Sequence, residues 1–143
     1  MGRLEYNVIW DSLNQTKNPY MSIHMLRQAT GLSIPIILHT LEDKKYRNSF
    51  VKVFPGIYKL KSTPTIEPLE LALPIIMTLQ HKQMFLDTIA SAAKKDRTLV
   101  CAIVTKSAAK KYFVKIKTVG GHDLYGCSQE GLIILEEQLK SKV

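Results

Sequence analysis

The sequence predicts an α+β fold: an N-terminal winged helix-turn-helix followed by a small α+β unit. Three observations carry that prediction. Short stretches with apolar residues at helical spacing occur in both halves of the chain. A turn around Gly31 separates two of them, as in a helix-turn-helix. The run NSFVKVFPGIYKL, residues 48–60, climbs to Pro55-Gly56 and leads away again, the pattern of a β-hairpin.

Taken in order, residues 4–15 place Leu4, Val8, Ile9 and Leu13 near helical spacing, and Pro19 in the turn at 16–19 stops that helix. A second helix fits 22–30, with Ser22 as N-cap, Ile23, Leu26 and Ala29 as the apolar edge, and Gly31 as the stop. A third starts at Ser33, accepts Pro35 in its first turn and turns Ile34, Ile37, Leu38 and Leu41 inward. The hairpin follows and completes a wing, so the first domain is read as residues 3–61. Residues 62–68 hold two prolines among small polar residues and read as a linker.

Residues 69–143 form the α+β unit. Residues 69–95 read as mostly helical, broken or kinked near Pro74, with Met77, Phe85, Leu86, Ile89 and Ala93 as an apolar stripe. TLVCAIVT at 98–105 reads as a strand. KYFVKIKTV at 111–119 alternates, with Tyr112, Val114, Ile116 and Thr118 on one face and Phe113, Lys115 and Lys117 on the other. Residues 120–123 form a turn, and Ser128 caps a last helix carrying Leu132, Ile133, Leu135 and Leu139. No internal repeat or low-complexity segment is read along the chain.

Charge narrows the function. Twenty Lys and Arg against twelve Asp and Glu leave a net charge of +8. An excess of that size favours polyanions, because neutralised phosphates release condensed counterions. Two cysteines without a CxxC pair fit a reducing, intracellular setting, nuclear in a eukaryotic cell. The N-terminus lacks a signal-peptide core, Tyr6 spoils Gly2 as a myristoyl acceptor, and the sequon Asn14-Gln15-Thr16 has no meaning without secretion. No apolar run reaches the roughly 20 residues of a membrane span, so no membrane partner is expected.

Enzyme chemistry finds no support. His24, His39, His81 and His122 stand at no zinc-ligand spacing, and neither a P-loop nor a G-x-G-x-x-G motif occurs. His122 and Cys127 lack an orienting third group, so a nucleophile is not read there. The expectation is a non-enzymatic protein with no catalytic residue, no metal and no cofactor.

Residues 3–61 resemble the HARE-HTH family of winged helices. The wing pattern S-F-x-[K/R]-V-x-x-G-x-Y-x-L is met by Ser49, Phe50, Lys52, Val53, Gly56, Tyr58 and Leu60, and the entry to the second helix by Pro19, Met21, Ile23 and Leu26. Members occur in chromatin-associated proteins, in a bacterial RNA polymerase accessory subunit and beside restriction or modification enzymes. The resemblance implies a part in transcription, chromatin or DNA modification, as a DNA binder or as an adaptor within such a complex.

One departure bears on that choice. A DNA-reading third helix aims Arg, Lys, Asn or Gln at base edges. Here the outward candidates are Ser33, Ile36, His39, Thr40 and Asp43, which suits backbone contact better than base readout. The candidate nucleic-acid residues are therefore Lys44, Lys45, Arg47, Lys52, Lys59 and Lys61, with Lys110, Lys111, Lys115 and Lys117 in the second half. There, Phe113 beside Lys115 and Lys117 offers a stacking surface. Ile36, His39 and Thr40 are candidates for a protein partner. Backbone binding to DNA and helix-mediated protein docking are thus the two main expectations, and RNA contact by the C-terminal sheet through Phe113 and its lysines is a minor third.

Overall fold

A computed structural model describes residues 3–15 and 17–141. Gly2 and Thr16, on which the acylation and sequon readings fall, lie outside the described residues. The fold is α+β, with seven α-helices and two small antiparallel sheets among the described residues. The chain divides into two compact units, one up to Thr65 and one from Ile66.

Unit one runs α1 (Arg3–Leu13), β1 (Met21–Ser22), α2 (Ile23–Thr30), α3 (Ile34–Glu42), a 3-10 turn (Lys44–Tyr46), β2 (Phe50–Phe54) and β3 (Ile57–Leu60). The local signals act as expected. The Ser22 hydroxyl accepts from the Met25 amide at 3.1 Å, satisfying one amide that the first helical turn leaves unpaired. Gly31 takes φ +74 and donates to the Arg27 carbonyl at 2.9 Å, which stops α2. Pro55 and Gly56 turn the hairpin, Gly56 at φ +80. The sheet has the order β1-β3-β2, so β3 is its central strand. Strand β1, two residues long, is too short for periodicity to reveal.

Ile9, Leu13, Leu26, Ile37, Leu41, Phe50, Tyr58 and Leu60 close one core beneath these elements. Ile34, expected inward, faces out, and of the residues read at apolar helical spacing Leu4 is 73% exposed and Ala29 is exposed as well. Leu4 lies off the stripe that α1 buries, and Ile34 shares the spacing of Ile37 and Leu41 but opens α3, where the helix end is left uncovered.

Unit two runs α4 (Pro68–Leu79), β4 (Met84–Phe85), α5 (Leu86–Ala93), α6 (Arg97–Thr105), a 3-10 turn (Ala108–Tyr112), β5 (Phe113–Val119), β6 (His122–Cys127) and α7 (Gln129–Ser141). Several expectations are corrected here. Residues 98–105 are helical, not a strand. A short apolar run does not distinguish the two states. The Asp96 carboxylate accepts from the Leu99 amide at 3.1 Å and starts the helix. Packing then buries Leu99, Val100, Ala102, Ile103 and Val104. The 69–95 helix is two helices divided by β4, so the stripe from Met77 to Ala93 is spread over three elements.

Residues 111–119 depart from simple alternation. The strand starts at Phe113, which is buried, whereas Val114 and Ile116 are each 42% exposed. A register shift between Lys115 and Lys117 interrupts the pleat, and from Val114 onward the strand is exposed on both faces. Ser128 does cap α7, its hydroxyl accepting from the Gly131 amide at 3.2 Å. Leu135 faces the core, but Ile133 and Leu139 are 50% and 44% exposed.

The chain contains an internal repeat after all. Unit two's sheet has the order β4-β6-β5, the counterpart of β1-β3-β2. Met21 corresponds to Met84, the start of α2 to that of α5, and the α3 cap Ser33 to the α6 cap Asp96. Phe50 corresponds to Phe113, all by the same shift along the chain. Gly31 and Lys94 both have positive φ, +74 and +56, at matching helix ends. FVKV in β2 and FVKI in β5 share a register, with Lys52 opposite Tyr58 and Lys115 opposite Tyr125, and each strand shifts register just afterwards. Few helical residues are identical, so the repeat lies in caps, turns and burial rather than in identity.

Candidate nucleic-acid interface

In unit one the cations follow the third helix. Asp43 ends α3, and its carboxylate accepts from the Lys45 amide at 2.9 Å to start the 3-10 turn. That turn presents Lys44 and Lys45 to solvent, with the Lys45 ammonium 5.4 Å from the Tyr46 ring centre, within cation–π range. Arg47 follows, exposed. On β2, Lys52 is exposed, its ammonium 5.9 Å from the centre of the Tyr58 ring across the hairpin. Lys61 is exposed just beyond β3. Residues 44–61 contain no acidic side chain.

Two expected site residues are corrected. Lys59 is 8% exposed, and its ammonium donates to the carbonyls of Leu60 (3.2 Å) and Thr63 (2.7 Å). It lies on the central strand, where its stem packs inside while its head finds backbone acceptors. Thr40 is 4% exposed and donates to the Ile36 carbonyl at 2.9 Å. It shares the buried face of α3 with Ile37 and Leu41, and only an edge of it reaches the groove that Ile36 and His39 line.

Ile36 and His39 do face outward. With Glu5, Pro35, Lys45 and Tyr46 they help line a mainly apolar groove of about 380 Å³. Helix α3, IPIILHTLE, contains no Arg, Lys, Asn or Gln to read a base edge.

Unit two presents Lys110, Lys111, Lys115 and Lys117 to solvent, with the Lys111 ammonium 5.2 Å from the centre of the Tyr112 ring. Lys94, Lys95 and Lys106 are exposed as well. Arg97, at the start of α6, is held by Asp87 of α5. The expected stacking surface does not form, because Phe113 is 7% exposed. Its ring belongs to the core, as Phe50 does in unit one.

The tyrosines opposite the wing lysines are electrostatically set. Burial, then the nearby Glu42 carboxylate, which accepts from the Tyr58 hydroxyl at 3.4 Å, raises the Tyr58 phenol above its ordinary value. Burial and then Asp123 raise Tyr125 likewise. Burial pushes the Cys127 thiol up, which keeps it protonated and a poor nucleophile. Among the described residues, no cluster of three His, Cys, Asp or Glu side chains is arranged to hold a metal ion. Residue-by-residue reading missed the equivalence of the two wings; FVKV against FVKI was the available signal.

No protein-family model, curated protein or solved structure matches the chain. The HARE-HTH resemblance therefore rests on its motif residues alone.

Proposed function

We propose that the chain is a non-enzymatic, DNA-associated accessory protein that holds the duplex by its phosphate backbone, within transcription, chromatin or DNA-modification machinery inside the cell. One observation carries this reading. Lys44, Lys45, Arg47, Lys52 and Lys61 are exposed on a stretch without acids, beside a third helix without base-reading side chains. Backbone contact needs charge and reach, whereas sequence readout needs donors and acceptors in the groove.

Titrating the chain with a labelled duplex of about 30 base pairs at two salt concentrations tests it. Affinity falls steeply as salt rises, and Arg47→Glu with Lys52→Glu weakens binding by about tenfold or more. Unchanged binding by the folded double variant overturns the reading.

A second reading draws on the apolar groove at Ile36 and His39. In it the chain is an adaptor that docks a larger protein through α3 and leaves DNA to that partner. It predicts no salt-sensitive duplex binding, and loss of complex formation in Ile36→Asp.

A further inference from the structure

We propose that unit two carries a second backbone contact equivalent to the first, so that the chain grips one DNA duplex at two phosphate sites, Arg47 with Lys52 and Lys110 with Lys115. The inference rests on the backbone-binding reading above and extends it from one wing to two.

Position is the first support. Arg47 and Lys110 each stand three residues before the phenylalanine that opens the wing, and Lys52 and Lys115 each stand two after it. Both strands pair a central strand in the same register, which fixes Lys52 opposite Tyr58 and Lys115 opposite Tyr125. The strand pairing thus sets Lys52 and Lys115 alike in the two sheets, and the 3-10 turn before each wing carries the second cation, Arg47 just after it in unit one and Lys110 within it in unit two.

Availability is the second. All four are exposed, and the ion pairs found among the described residues, Arg97–Asp87 and Lys140–Glu136, use none of them. Asp96 is the one acid between Lys94 and Lys117, and its carboxylate caps α6.

The neighbouring rings choose the form of nucleic acid. Single strands are held by bases stacked on exposed aromatic faces. Here Tyr58, Phe113 and Tyr125 are buried and Tyr46 and Phe54 are half-buried, so no fully exposed ring stands beside these cations. Charge presented twice at one spacing suits a polymer whose phosphates repeat. Residues 61–67 tether the units, and engaging one site raises the effective concentration of the other to the order of millimolar.

The test uses the full chain and four proteins: wild type, Arg47→Gln/Lys52→Gln, Lys110→Gln/Lys115→Gln, and all four substitutions together. Binding is read by fluorescence anisotropy across a salt series. The DNA probes are a duplex of about 30 base pairs and one of about 8, which has room for one site. On the long duplex each double variant loses more than about tenfold in affinity, and its log K against log salt slope shrinks by about 2. The quadruple variant loses about 4 from the slope. On the short duplex either unit suffices, and each double variant stays within about threefold of wild type.

A Lys110→Gln/Lys115→Gln protein that matches wild type on the long duplex overturns the second site and leaves the first reading standing. Failure of wild type to bind any duplex overturns both. Binding to single-stranded DNA, duplex RNA or polyglutamate as tight and as salt-steep as to duplex DNA overturns the choice of duplex DNA.

Discussion

Lys52 and Lys59 show how one hairpin gives two lysines opposite tasks. Lys59 is enclosed and donates to two carbonyls, whereas Lys52 stands in solvent. Lys59→Met therefore lowers stability by about 1–3 kcal/mol, because buried acceptors lose their donor. Lys52→Gln changes stability by less than about 0.5 kcal/mol. Urea denaturation checks both, and duplex affinity inverts the order, falling for Lys52→Gln and holding for Lys59→Met. Tyr58 supplies a pH signature. Its folded pKa is raised above 10.0, so the folded state keeps its proton where the unfolded state loses it. Its contribution is fully present below about pH 10 and is lost as pH rises through the folded value. Tyr58→Phe removes that part of the alkaline slope, as denaturation midpoints on either side of pH 10 would register; an unchanged slope refutes it. None of this was legible residue by residue. Alternation in GIYKL does not reveal that β3 is the central strand, and helical spacing does not tell whether Thr40 points in or out.

At the scale of elements, α7 depends on one glycine. A Cβ on Gly131 would lie 2.2 Å from the Tyr112 carbonyl oxygen, which is backbone and has little room to move. Gly131→Ala thus costs about 1–3 kcal/mol through overpacking against the turn that precedes β5. Gly126 is the control, since an added Cβ there meets its nearest atoms at 3.6 Å, ordinary contact, and costs under about 1 kcal/mol. Thermal melts of the two variants decide; equal midpoints would mean that α7 does not need this close approach. Elements whose ends are set locally were legible. The Ser22 cap, the Gly31 stop, the Pro55-Gly56 turn and the Ser128 cap each follow from chemistry within a few residues. Helix α6 was not, because Leu, Val and Ile serve a buried helix and a buried strand alike. Its state follows from Asp96 and from the neighbours that cover it.

Across the whole molecule the +8 charge is spread over both units, and exposed cations follow the third helix in each. Helix α3 contains no Arg, Lys, Asn or Gln, and Arg97 at the head of α6 is engaged by Asp87. Unrelated duplex sequences of equal length should therefore bind within about threefold of one another, far below the 10³-fold or greater preference of a specific reader. Competition with a panel of unrelated duplexes checks this, and one strongly preferred sequence would refute it. By itself the sequence determined the α+β class, the helix-turn-helix and wing of unit one, and the excess of positive charge. Those follow from local turn chemistry, apolar period and composition. Tertiary structure decided that 98–105 is a helix, that Lys59 and Thr40 are buried, that Phe113 is core, and that unit two repeats unit one. Which face of an element is covered depends on neighbours distant in the chain. Two stretches with few identical residues become equivalent once each closes over its own apolar stripe.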